Sequence, residues 1–91
     1  MYTLVWSAGF TRSAKKFIKS RPDLRAKFAA VLRELENDPF QPHLKYHQLS
    51  GNLIGIKAVS ITYSYRITLT IVVTEKEIIL LDVGSHDEVY R

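Results

Sequence analysis

The hydrophobic period of the chain changes once, and that change constrains the fold more than any other feature. Phe10, Ala14, Phe17 and Ile18 fall at i, i+4, i+7 and i+8, one face of an α-helix. Leu24, Phe28, Val31, Leu32 and Leu35 repeat that spacing. From Leu53 onward the helical period is gone. The stretches "LIGIKAVSI", "YRITLTIVV" and "EIILLDV" read as strands instead. At the other end "YTLVW" alternates and is rich in β-formers, which adds a strand over Tyr2–Trp6. An amphipathic helical hairpin and a sheet can bury their apolar faces only against each other. The expected fold is therefore α+β, in the order β-α-α-β-β-β, with a small antiparallel-rich sheet and the hairpin on one face.

The punctuation agrees with this order. Ser7 is a good N-cap for the first helix, which ends near Ser20. Pro22 suits the first turn of the second. Asn37, Asp38 and Pro39 stop it. "DPFQPHLKYHQLSGN" reads as a loop, and "TEKE" is a tight polar link that makes the last strands a hairpin. Residues 1–91 form one domain with room for a single two-layer core.

Composition narrows the function classes. Without cysteine there is no disulfide scaffold, thiolate zinc site or Cys nucleophile, and the chain suits a reducing, cytoplasmic setting. "MYTLVWSAGF" lacks the basic region and long apolar run of a signal peptide. No apolar run approaches the ~18 residues of a membrane span, so no membrane role is expected. The net charge of +4 is uneven: residues 1–45 hold nine Lys/Arg against four Asp/Glu, and residues 46–91 hold four against five. Arg12, Lys15, Lys16, Lys19, Arg21, Arg25 and Lys27 carry most of the excess, on the polar faces of the helices. Such a cluster attracts polyanions, though it would equally attract an acidic protein or serve as a solvated helix face.

Strand parity places further groups. Ile67, Leu69, Ile71 and Val73 share one face of their strand, and Arg66, Thr68 and Thr70 share the other. With the apolar face against the helices, Arg66 stands on the open face. The preceding strand is apolar at both parities. If Ile54, Ile56 and Ala58 face the helices, Lys57 joins Arg66. Ile78, Leu80 and Asp82 share the parity of His86, with Gly84 as the place where that register can break.

The chain then ends "LLDVGSHDEVYR", with titratable and aromatic groups hung directly off a strand. Histidine is the side chain whose ordinary titration lies near neutral pH, and loops at strand ends often carry function. His86 is thus a candidate acid or base; His47, in "YHQLSG", and His43 lie in the loop before the sheet. No His pair has the spacing of helical zinc ligands, so no metal or other cofactor is expected. Arg66 suits a phosphate, with Lys57 as a second cation. Tyr63, Tyr65 and Tyr90 are candidates for stacking on unpaired bases, while Tyr2, Tyr46 and Trp6 are assigned to packing.

Taken together, "HQLSGNLIG" entering the sheet, "YRITL" in its centre and the terminal "LLDVGSHDEVY" resemble the RelE/ParE superfamily of toxins from type II toxin–antitoxin pairs. The resemblance spans essentially the whole chain. The ending looks most like the YafQ branch and the "YR" step more like RelE. It implies ribosome-dependent, metal-independent cleavage of mRNA, in which the 2′-OH attacks the adjacent phosphate. By that resemblance His86 is the general acid or base and Arg66 stabilises the transition state. Lys57 adds positive charge, Tyr90 orients substrate, His47 is a second proton-transfer group and Tyr65 stacks on RNA. Lys15, Lys16 and Lys19 would grip ribosomal RNA. Implied partners are a cognate antitoxin, the ribosome and mRNA, with operator DNA bound by the antitoxin complex.

The departures lie at Ser60 and Ser64, where the YafQ branch carries a His and an Asp. Neither Ser is a base at neutral pH without an activating partner. The alternative on the same fold is a ParE-like toxin that inhibits DNA gyrase by binding, without cutting RNA.

Overall fold

A computed structural model of the chain describes residues 1–49, 53 and 55–89. Its elements in chain order are β1 (Thr3–Trp6), α1 (Ala8–Ser20), α2 (Arg25–Asn37), β2 (His47–Gln48), β3 (Lys57–Ser60), β4 (Tyr65–Val72), β5 (Glu77–Ser85) and α3 (His86–Val89). The sheet runs β1-β5-β4-β3-β2. β1 lies parallel to β5, and the other neighbours pair antiparallel. The α+β plan with a helical hairpin on one face is thus present. The short β2 and the terminal α3 are additions to it. β2 comes from within the stretch read as loop, because two residues are too few to show a period.

Local chemistry explains the helices. Ser7 Oγ accepts the Phe10 amide at 3.0 Å, the cap that its position suggests. Arg21 closes α1 by donating its amide to Phe17 O at 2.8 Å. Pro22 opens a short 3₁₀ turn, Pro22–Leu24, so α2 begins only at Arg25. Asp38 leaves the helical region, and its carboxylate accepts the Phe40 amide at 2.9 Å. Among the described residues, no helix is long and apolar enough to cross a membrane.

One core joins the layers. Phe10, Ala14 and Phe17 of α1 and Phe28, Val31 and Leu35 of α2 pack with Val59, Ile67, Leu69, Ile78, Leu80 and Val83 of the sheet. Burying each Val, Leu, Ile or Phe of this set contributes about 1.5–3 kcal/mol. Phe17 meets Phe28 at 5.6 Å between ring centroids, and Phe10 meets Phe28 at 6.1 Å.

The register corrects two expectations of parity. Val59 opposes Ile67 and Lys57 opposes Leu69, so Lys57 has helix-side parity and does not join Arg66. Val59 and Ile61, bulkier than Ala58, take the core side. Ala58 is buried on the other face, outside the main core. The register of β5 breaks at Leu81 rather than Gly84: Leu69 pairs with Leu80, but Thr68 pairs with Asp82. That extra residue lets Ile78 and Leu80 before it and Val83 after it all enter the core.

Candidate functional site

The end of the sheet where β4 begins and β5 finishes brings the sequence candidates together. Arg66 pairs with Ser60 on one side and with Gly84 on the other, on the face away from the helices. The turn at residues 61–64 stands beside it. There the Arg66 guanidinium is held by Thr62 O, which accepts from Nη1 at 2.7 Å. The same turn fixes the start of α3, because the His86 amide donates to Ser64 O at 3.2 Å. An open cleft of about 570 Å³ results, lined by Tyr63, Ser64, Arg66, Ser85, His86 and Asp87. His86 and Arg66 are therefore walls of one cavity. His86 Nδ1 lies 3.8 Å from Asp87 Oδ1, and both side chains are largely exposed.

A capping box builds α3. Ser85 Oγ accepts the Glu88 amide at 3.3 Å, and Glu88 Oε1 accepts the Ser85 amide at 2.9 Å. The Ser85 backbone amide and then its hydroxyl hold the Glu88 carboxyl below the ordinary glutamate range, aided by Lys16. Lys16 Nζ lies 3.6 Å from Glu88 Oε2. This device follows from the spacing Ser85-x-x-Glu88, a capping-box signal legible in the sequence.

Other candidates stand elsewhere. His47 pairs with Ala58, which pairs with Thr68, so His47 shares the face of Arg66. It is separated from β4 by two strand spacings, about 10 Å, and does not line the cleft. Its Nδ1 is 2.9 Å from Lys45 O. Lys57 donates to Gln48 Oε1 at the far edge of the sheet.

Tyr65 opposes Ser85 and has the parity of Ile67. Its ring meets Phe17 edge-on at 5.2 Å, and its hydroxyl accepts from Arg21 Nη1 at 3.2 Å. It is therefore turned toward the helices, away from the cleft. Among the described residues, the tyrosine that lines the cleft is Tyr63. Arg21 also forks onto Asp23 at 3.0 and 2.8 Å, which ties that member of the basic cluster into the fold. Lys15, Lys16 and Lys19 are exposed on α1. Tyr90 lies outside the described residues, as does Ile54. Among the described residues, no three His, Asp or Glu side chains form a metal-binding group.

No protein-family model matches the chain, and no curated protein matches it at a significant level. Solved structures do. YafQ from Escherichia coli strain BL21(DE3) superposes with a TM-score of 0.82 at 16% identity, covering 100% of both chains. A metal-bound toxin from Helicobacter pylori gives 0.81 at 27% identity, over 98% of this chain and 99% of that one. The Escherichia coli DinJ–YafQ complex gives 0.80 at 17% identity, again over 100% of both chains. The chain has the fold of the RelE/YafQ-type toxin superfamily.

Proposed function

We propose that the protein is the toxin of a type II toxin–antitoxin pair and a ribosome-dependent mRNA endoribonuclease. The observation that carries this reading is that Arg66 and His86 line one open cleft. Cutting RNA through its own 2′-OH asks little of a protein. A proton must leave the 2′-oxygen as it bonds to phosphorus, and another must reach the 5′-oxygen as its bond to phosphorus breaks. The products are a 2′,3′-cyclic phosphate and a free 5′-OH. His86 is the proton-transfer group of this reading, as imidazole suits that work near neutral pH. Arg66 is the fixed cation that stabilises charge building on the phosphate oxygens. Thr62 O occupies one edge of the guanidinium and so orients the rest of the fork.

The exposed Lys15 and Lys19 on α1 suit a grip on ribosomal RNA, and the ribosome would hold the message in line. Lys16 shares its charge with Glu88. His47 and Lys57 lie outside the cleft, so this reading rests on His86 with Arg66.

The toxin assignment draws on the fold shared with YafQ and with the toxin of the DinJ–YafQ complex. By the same likeness the partner is a cognate antitoxin. We place its docking over the open face or on the 84–91 tail, where it would silence the cleft. The antitoxin complex is then the form that binds operator DNA.

The test is 5′-end mapping of a defined message in a purified bacterial translation system, with wild type and His86→Ala, with and without ribosomes. Cuts that require both ribosomes and His86 support the reading. A folded, toxic protein that leaves the message intact refutes it and points to a gyrase-directed binder.

A further inference from the structure

Tyr63 is the most exposed large apolar side chain among the described residues, at 91%. It stands in the turn between β3 and β4, where small polar residues are the usual choice. The turn is nonetheless firmly held. The Ile61 amide donates to Tyr65 O at 2.9 Å, and the Ser64 amide donates to Thr62 Oγ1 at 3.3 Å. Thr62 O is tied to Arg66 and Ser64 O to the His86 amide. A ring that buries little of itself is thus mounted on a fixed base. With the backbone held, only the two side-chain torsions of Tyr63 remain to be ordered when something stacks on the ring.

Its surroundings say what would stack. Beyond the cleft that holds His86 lies a second one of about 250 Å³, whose walls include His43, Lys45, Ser60 and Thr62. Tyr63 and Arg66 line both clefts. His43 Nε2, on one wall of this second cleft, engages the Glu34 carboxylate. Lys45 supplies an exposed cation, on a backbone fixed in the left-handed region at φ 54°.

We propose that Tyr63 stacks on an unpaired base beside the phosphate held by Arg66, and so divides the groove into two nucleotide subsites. The second subsite takes the neighbouring nucleotide, with its phosphate near Lys45. This rests on the RNA-cutting reading above and adds a residue that selects where the cut falls. Stacking needs the face of the ring and not its hydroxyl.

The experiment maps 5′ ends across a defined message for wild type, Tyr63→Ala, Tyr63→Phe and His86→Ala in the purified translation system. Thermal unfolding checks that each variant is folded. The expected result is that Tyr63→Ala slows cutting about tenfold or more and flattens the base preference beside the cut, while Tyr63→Phe stays within about twofold of wild type. Wild-type rate and preference in Tyr63→Ala, with His86→Ala inactive, would overturn the inference and leave the nuclease reading standing. Uniform slowing at every site would also overturn it, because that is the signature of lost ribosome docking. So would a Tyr63→Phe as slow as Tyr63→Ala, which would put the hydroxyl in the chemistry. No cutting by wild type sinks both readings.

Discussion

Ser85 and Glu88 cap each other: each donates its backbone amide to the other's side chain, at 2.9 and 3.3 Å. This reciprocal pair makes a four-residue helix out of a chain end and sets His86 as its first residue. Replacing Glu88 by Ala removes half of the box. The cost to global stability should be modest, about 0.5–2 kcal/mol for a helix cap and nearer the lower end at an exposed one. The cost to the site should be larger, because His86 loses its fixed bearing on Arg66. We expect Glu88→Ala to cut message at least tenfold more slowly with little change in Tm, and Glu88→Gln, which can still cap, to keep most activity. Wild-type cleavage rates in folded Glu88→Ala would detach the cap from the site.

The same pair makes α3 sensitive to acid. Glu88 is held below the ordinary glutamate range in the folded chain. As pH falls, the unfolded carboxyl takes up its proton first. The stabilisation is therefore whole above the ordinary range and is lost as pH drops through the lower folded value. In an NMR titration the Ser85 amide should shift in that acidic window and become pH-insensitive there in Glu88→Gln. A Ser85 amide unmoved by acid in the wild type would refute the linkage.

Gly84 is required by the same geometry. A Cβ at this position would lie 2.9 Å from Glu88 Oε1 and 3.2 Å from Glu88 Cβ. The carboxylate oxygen can swing aside, but the Cβ contact can relax only if α3 shifts. Gly84→Ala should therefore weaken the cap and displace His86 while the helix-side core stays intact. The checks are near-normal far-UV circular dichroism, faster exchange of the Ser85 amide and a loss of cleavage comparable to that of Glu88→Ala. An unperturbed Ser85 amide in Gly84→Ala would show that the contact is relieved at no cost.

How far the sequence revealed this site follows from the kind of signal each residue left. The helix faces of Phe10, Ala14, Phe17 and of Phe28, Val31, Leu35 were legible, because a long amphipathic period has few competing readings. Arg66 was placed on the open face by the clean alternation of its strand. Lys57 was not, because Ala58 and Val59 are both apolar and only pairing with Ile67 decides which one enters the core. The extra residue at Leu81 has no sequence mark, and it alone carries Val83 into the core. Tyr63 and Tyr65 are equivalent by type. What separates them is tertiary: Phe17 and Arg21 come from the helices to hold Tyr65 and leave Tyr63 outside.

That separation is itself testable. Tyr65→Phe removes only the hydroxyl that accepts from Arg21. The bond is partly exposed and Arg21 keeps its fork on Asp23. The variant should lose no more than about 1 kcal/mol of stability in denaturant unfolding and cut message at the wild-type rate. A large fall in cleavage with Tm preserved would return Tyr65 to the site.

Arg66 gives the sharpest prediction, because its contribution depends on shape as well as charge. Thr62 O takes one Nη1 hydrogen at 2.7 Å, which tethers one end of the guanidinium at the cleft wall. A phosphate there would meet a preorganised donor pair and not a mobile cation. Arg66→Ala should slow single-turnover cleavage by roughly 10²-fold or more, as expected for the loss of one such electrostatic stabiliser. Arg66→Lys keeps the charge, but its ammonium cannot satisfy Thr62 O and present a fork together, so it should recover only a small part of the rate. Full activity in Arg66→Lys would mean that charge alone suffices. Full activity in Arg66→Ala, with folding verified, would remove this residue from the chemistry.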